Sequence, residues 1–284
     1  MPSVGEPIDW QSAWNFADPA GSQSRFEELL ATPGIDTTLR QIITTQLARS
    51  FGLQREFDRA LATLESLAMA TDPEVRVRVL LERGRVLNTS GVPERAAAEF
   101  QSAADLAAAH HLWLLHVDSI HMLAIVAPTT DEQIALNLRG LGVVRLHPEA
   151  DRWTVALNNN LGEIYRSLGQ YEKALDCFRA IIRWQAQTGR PLDRYARVDV
   201  AKMLRLSGRQ EEGLTTIAAL AAEPNAAEDG FVLEELAESL LSSGRIEEAG
   251  PLFTRAWQKL QHERWLEEAE PQRYLRLKDM AARP

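Results

Sequence analysis

The sequence predicts an all-α protein built as a series of helix pairs, and three observations carry that prediction. A glycine followed by a charged helix start recurs in SGVPERAAAEF, LGQYEKALDCF, SGRQEEGLTTI and SGRIEEAGPLF, each time after an apolar pattern of helical period. The small residue opening each second helix, Ala60, Ala96, Ala135, Ala174, Gly213 and Ala249, returns after 36, 39, 39, 39 and 36 residues. Periods of that size belong to repeated helical hairpins, here about six of them. Finally, 45% hydrophobic and 25% charged residues, with only 16 glycines and 13 prolines in 284, describe a folded chain and not a low-complexity one.

Taken in order, residues 1–40 precede the repeats and read as an N-terminal capping segment. Trp10 and Trp14 lie one helical turn apart, and Ser24 with Glu27 has the spacing of a capping box before Leu29 and Leu30. The repeat array is expected over 41–260. Inside it Val75, Val77 and Val79 alternate with arginines as in a strand, but Asp72 and Pro73 form a helix start and the repeat continues through Gly84 and Leu87, so helix is expected. The third unit is degenerate: Arg139 falls on a core position and Pro128 sits near the end of a first helix, while Thr130 with Gln133 suggests a capping box. Pro251 predicts a kink or a late start in the last second helix. Residues 261–284 read as a C-terminal capping helix, with Trp265, Tyr274, Leu275, Leu277 and Met280 to seal an open end. No flexible linker divides the chain.

The fourth unit, NNNLGEIYRSLGQYEKALDCFRAII, places Leu161, Gly162, Tyr165, Gly169, Tyr171, Ala174 and Phe178 at the signature spacing of the tetratricopeptide repeat (TPR) family, whose unit is about 34 residues, and the chain resembles stand-alone bacterial members of it. The small first-helix position of that family falls on Ala48, Gly84, Leu123, Gly162, Ala201 and Ala237, and the second-helix core position on Leu64, Phe100, Arg139, Phe178, Ile217 and Phe253. The resemblance implies a right-handed α-solenoid, a superhelix of about six TPR-like pairs with capping helices at both ends, whose first helices line a concave face.

Four positions per first helix share one stripe on that face, because their spacings are three, four and three. The stripe yields the candidate groove residues Arg49, Arg78, Arg85, Asn88, Asn159, Glu163, Arg166, Tyr195, Lys202, Arg205, Phe231, Glu234 and Glu238, and the register places His121 beside it as a further candidate. Its two most regular positions carry five bases against two acids, a local +3 where the whole chain carries −9. Guanidinium groups, amides and two aromatic rings together offer charge for a carboxylate, donors for a peptide backbone and a flat surface for an apolar anchor. Some members of the family clamp an acidic C-terminal tail with a set of Lys, Asn and Arg. Here the matching positions are Ile120, Ala124, Asn160, Tyr195 and Asp199, of which only Asn160 fits, so that adaptor type is not supported.

Catalytic and cofactor signals are missing from the sequence. His110, His111, His116 and His121 crowd together, yet His116 and His121 lie about 140° apart on a helix and no ligand pair accompanies them, so no metal is expected. The single cysteine, Cys177, has no basic neighbour and reads as an inert thiol. Glu234, Glu235 and Glu238 read as a solvated acidic face. No phosphate-binding loop, dinucleotide fingerprint or nucleophile elbow is present, and no cofactor is expected. Net charge disfavours nucleic acid, and no apolar run is long enough to span a bilayer, so neither nucleic acid nor membrane is an expected partner and a cytoplasmic location is expected. The expectation is therefore a non-enzymatic scaffold whose concave groove binds a protein or peptide, favouring an acidic or carboxylate-bearing segment. A regulatory sensor for a short signalling peptide is the alternative, an enzyme using the His121 region a remote one, and homo-oligomerisation is left open.

Overall fold

The computed structural model describes residues 8–283, and these are all-helical, with fifteen α-helices, two short 3-10 turns and no strand among the described residues. The chain divides into two compact units, 1–153 and 154–284. The first contains α1 (Pro19–Leu30), α2 (Thr37–Leu53), α3 (Phe57–Glu65), α4 (Pro73–Thr89), α5 (Pro93–Ala109), α6 (Trp113–Val126) and α7 (Thr130–Leu146). The second contains α8 (Trp153–Ser167, all but its first residue), α9 (Tyr171–Gln187), α10 (Arg194–Leu206), α11 (Gln210–Ala221), α12 (Gly230–Ser242), α13 (Ile246–Leu260), α14 (Arg264–Ala269) and α15 (Pro271–Ala281). Six hairpins result: α2/α3, α4/α5, α6/α7, α8/α9, α10/α11 and α12/α13.

The recurrent glycine has a defined role in the turn within four of the six hairpins. Gly91, Gly169, Gly208 and Gly244 adopt φ between 70° and 89°, the left-handed region that a side chain resists. The next residue's N–H reaches back to the carbonyl of a large first-helix residue: Val92 to Leu87, Gln170 to Tyr165, Arg209 to Leu204 and Arg245 to Leu240, all near 2.9 Å. The first hairpin makes the same bond, Glu56 to Phe51, but with Arg55 at φ 64° in place of glycine. One residue therefore both packs the hairpin and closes its turn.

Packing within a hairpin depends on the small first-helix position. A Cβ on Gly84 would lie 2.4 Å from the Phe100 ring and one on Gly162 would lie 2.6 Å from the Phe178 ring. Phe100, Phe178, Phe253, Leu64 and Ile217, the second-helix core positions, are all fully buried. Four first helices start on an aspartate that accepts from their first N–H groups: Asp36, Asp72, Asp193 and Asp229. The start at Asp72 and Pro73 overrides the local valine alternation, since α4 is helical throughout.

Four local expectations are corrected. Ser24 and Glu27 do not open a helix; Asp18 caps α1 ahead of Pro19, and Ser24 bonds back to the Ala20 carbonyl. The cap of α7 is Thr129, one residue before the expected Thr130. In the third hairpin α6 ends on extended Ala127 before Pro128, with no glycine turn, so the second helix is rotated: Asn137 and Gly140 are buried, whereas Ala135 and Arg139 are exposed. Pro251 lies inside α13, which starts at Ile246 and runs through it without a late start.

Candidate functional site

The two units treat the same groove stripe differently. In the first unit, Arg49 on α2 stands over the rings of Trp14 and Phe16, at 5.6 and 5.3 Å from their centroids, and lies 3.8 Å from Glu82. Arg78 on α4 is paired with Glu74 at 2.8 Å and stands over Trp10 at 5.2 Å. Arg85 hydrogen-bonds both Glu82 and Asp118. The aromatic residues come from the N-terminal 3-10 turn Trp10–Ala13 and its sequel, held by Trp14 Nε1 donating to Gln46 Oε1 at 3.1 Å. His121 on α6 packs its ring 5.1 Å from Trp153, and burial holds its pKa below the usual value despite Asp118 nearby. Asn88 is half-buried on α4. This part of the stripe is covered.

In the second unit the stripe opens into a cleft of about 750 Å³, lined by α8, α10, α12 and the α14/α15 end. Eight of the fourteen groove candidates meet there: Glu163, Arg166, Tyr195, Lys202, Arg205, Phe231, Glu234 and Glu238. Asn159 is exposed on α8 and does not line the cleft. Tyr195, Phe231 and Trp265 form an aromatic wall, with ring centroids 5.7 Å apart for the first two and 5.6 Å for the second two. Trp265 and Tyr195 stay about half exposed, at 45% and 54%.

Beyond the aromatic wall the cleft is a field of ion pairs. Arg205 holds Glu235 through two bonds of 2.7 and 2.9 Å, Arg273 holds Glu234 through bonds of 2.8 and 2.7 Å and reaches Glu270, Arg276 holds Glu238, and Arg166 holds Glu163. The expected solvated acidic face on α12 is thus corrected: Glu234 and Glu235 are buried, 8% and 4% exposed, because α15 and α10 bring guanidinium groups onto them. Five cations and six acids line the cleft, and the stripe residues among them sum to zero, Arg166, Lys202 and Arg205 against Glu163, Glu234 and Glu238, so the positive surplus of the stripe lies on Arg49, Arg78 and Arg85 in the first unit. Two lining charges stand apart from the pairs: Lys202 and Asp199, three residues apart on α10, have neither ion pair nor hydrogen bond among the described residues. Burial, reinforced by Glu163, pushes the Asp199 carboxyl up to about 7, against the opposing pull of Lys202, Arg166 and Arg273.

Sequence reasoning missed the other eight residues of the lining, among them Asp199, Glu235, Trp265, Glu270, Arg273 and Arg276, as parts of this site. The i, i+3 spacing of Arg273 and Arg276 opposite the i, i+4 spacing of Glu234 and Glu238 was the available signal. Elsewhere, His116 Nδ1 donates to the Ala104 carbonyl, 2.9 Å away, and the described residues hold no group of three His, Cys, Asp or Glu placed to bind a metal. Cys177 is buried and its thiol is pushed up to about 11, which suppresses the nucleophilic thiolate. No described helix is long and apolar enough to cross a membrane.

Among known proteins, residues 155–188 match the tetratricopeptide repeat model, and no curated protein matches the chain. The fold is similar to that of a signal-transduction ATPase from Pyrococcus horikoshii with a tetratricopeptide repeat sensor, at 12% identity and a TM-score of 0.67 over 89% of this chain, which spans only 41% of that protein. It is also similar to the apo quorum sensor NprR from B. thuringiensis, at 15% identity and a TM-score of 0.57 over 95% of this chain and 78% of that one. NprR bound to its cognate peptide NprX gives 16% identity and a TM-score of 0.51, over 97% and 84%. These likenesses establish fold. Residues 155–188 are a tetratricopeptide repeat, set in an all-helical array of hairpins that has the fold of tetratricopeptide proteins.

Proposed function

We propose that the protein is a non-catalytic, cytoplasmic binding module that takes a peptide segment of a partner protein into the cleft of its second unit, with preference for a segment bearing a carboxylate beside an apolar side chain. The carrying observation is the juxtaposition of an exposed aromatic wall with one unpaired lysine in a cleft whose arginines are all engaged. An apolar anchor gains by covering Tyr195, Phe231 and Trp265, and a ligand carboxylate finds in Lys202 a cation it need not take from an existing pair. The fold supports this reading, since such arrays are scaffolds for protein–protein interaction, and NprR shows in its own case that an array of this fold can hold a peptide. A short peptide suits the cleft volume better than an extended surface does.

The test is binding of two pools of acetylated, histidine-free octapeptides, each peptide carrying one aromatic residue. One pool has free C-termini and Asp or Glu at three positions; the other has amidated C-termini with Asn or Gln there. Wild type is expected to prefer the acidic pool, with affinity falling as salt rises, and Lys202→Glu to abolish that preference. Reversal is confined to Lys202 because Arg205→Glu would set a second carboxylate against buried Glu235. Equal binding of both pools, or indifference to Lys202→Glu, overturns the acidic preference.

A further inference from the structure

We infer that Asp199 and Lys202 form one subsite for a single ligand carboxylate, in which Lys202 supplies the positive charge and Asp199, as the protonated acid, supplies a hydrogen-bond donor. The inference rests on the proposed peptide-binding role of the cleft and adds which residue sets its affinity and how.

The geometry carries it. Asp199 and Lys202 lie one turn apart on the cleft-facing side of α10, between the aromatic wall at Tyr195 and the Arg205–Glu235 pair. Every other acid lining the cleft has a guanidinium partner: Glu163 has Arg166, Glu234 and Glu270 share Arg273, Glu235 has Arg205 and Glu238 has Arg276. Asp199 and Lys202 do not close on each other to ion-pair distance, which leaves both heads available to a third group. Beyond four arginines and five glutamates, which sum to −1, the remaining charge of the lining is set by this pair. With Asp199 ionised it sums to zero, and an incoming carboxylate meets a like charge beside its lysine. With Asp199 protonated it is +1, and the acid O–H can donate to the ligand oxygen that Lys202 does not hold, a charge-assisted bond in a half-dry site.

The surroundings of Asp199 raise its carboxyl to about 7, so that the protonated form prevails below neutrality. It faces Glu163 and Arg166 from α8, Lys202 along α10, Arg273 from α15 and the carboxylates of α12, which are tied into pairs with Arg273, Arg205 and Arg276. Burial and Glu163 raise its affinity for a proton, and the cations oppose them without matching them. A carboxylate ligand adds another negative charge next to Asp199, so ligand and proton bind together, each tightening the other.

The experiment uses the full chain and the tightest binder from the acidic octapeptide pool, followed by fluorescence anisotropy at pH 6.0 and 8.5. Its carboxylates are ionised throughout that window. Wild type is expected to bind up to about thirtyfold more weakly at pH 8.5 than at pH 6.0, the loss expected of one coupled proton over about one and a half units beyond its release near pH 7. Asp199→Asn keeps a neutral donor at every pH, so it should hold the pH 6.0 affinity within about threefold and lose the pH dependence. Wild-type affinity equal at the two pH values, or a pH dependence undiminished in Asp199→Asn, overturns the subsite and leaves peptide binding standing. No binding of the acidic pool at either pH by a folded wild-type protein overturns both.

Discussion

The first helices of the two units carry comparable residues at comparable repeat positions, yet only one set lines an open cleft. Arg49 and Arg78 lie beneath Trp10, Trp14 and Phe16, supplied by residues that precede the repeats. Lys202 and Tyr195 line a cleft whose opposite wall, α15, comes from residues that follow them. Repeat position sets where a side chain points; the segments outside the repeats decide whether anything can reach it.

Matched substitutions in the two units break or sharpen that comparison. The largest effect belongs to the half-dry ion pairs. Arg205→Ala strands Glu235, and Arg85→Ala strands Asp118 and leaves Glu82 only its 3.8 Å contact with Arg49, so each should destabilise by about 3–5 kcal/mol. Arg276→Ala, whose side chain is 53% exposed, should cost under about 1 kcal/mol. Thermal unfolding midpoints check the order, and equal losses for Arg205 and Arg276 would contradict it.

Next come the glycines beneath the rings. Gly84→Leu and Gly162→Leu should each cost about 1–3 kcal/mol by overpacking against Phe100 and Phe178, with similar losses in the two units because the ring distances are similar. An unchanged midpoint for either would show that the ring can swing aside.

A third contrast is between two aspartates. Asp118 is paired with Arg85, so Asp118→Asn should lower stability at neutral pH by weakening a charged bond. Asp199 is unpaired and its folded-state pKa, about 7, lies above the unfolded value, so its contribution is fully present below about pH 4 and is lost as pH rises through about 7. Asp199→Asn should therefore raise the unfolding midpoint most at pH 8 relative to wild type, less at pH 5, and change it little below about pH 4. A midpoint that falls at pH 8 would show that the ionised carboxylate is stabilised by its surroundings.

The smallest effect is in the turns. Arg55→Gly relieves a left-handed residue and should stabilise by up to about 1 kcal/mol, whereas Gly169→Ala imposes the same strain and should destabilise by about as much. Loss of the Arg55 contact with the Phe57 ring, at 5.8 Å, sets the lower limit of the gain.

Much of the fold was legible because the repeat writes the same local instructions again and again: a glycine turn, a small residue under a ring, an aspartate cap. Where an instruction is missing, legibility fails. Without a glycine after α6, counting by period put Ala135 and Arg139 in a core that Asn137 and Gly140 occupy. The groove stripe was readable from helical period alone, which is why eight candidates converge on one cleft. Their availability was not readable, because it depends on partners far along the chain: Asp118 for Arg85 at a separation of 33 residues, Glu235 for Arg205 at 30, Arg273 for Glu234 at 39. Periodicity carries no information on which neighbouring charge closes on which.

The position of Trp265 gives the cleft an optical consequence. Its indole forms the outer end of the aromatic wall, 45% exposed and 5.6 Å from Phe231, so an occupant that covers the wall must strip water from it. Indole emission moves to the blue and brightens or quenches when that happens, while the other six of the chain's seven tryptophans lie outside the cleft lining and contribute a steady background. The protein thus carries an intrinsic fluorophore at the place where occupancy would be read, and ligand screening can proceed without a label, with Trp265→Phe as the spectroscopic blank.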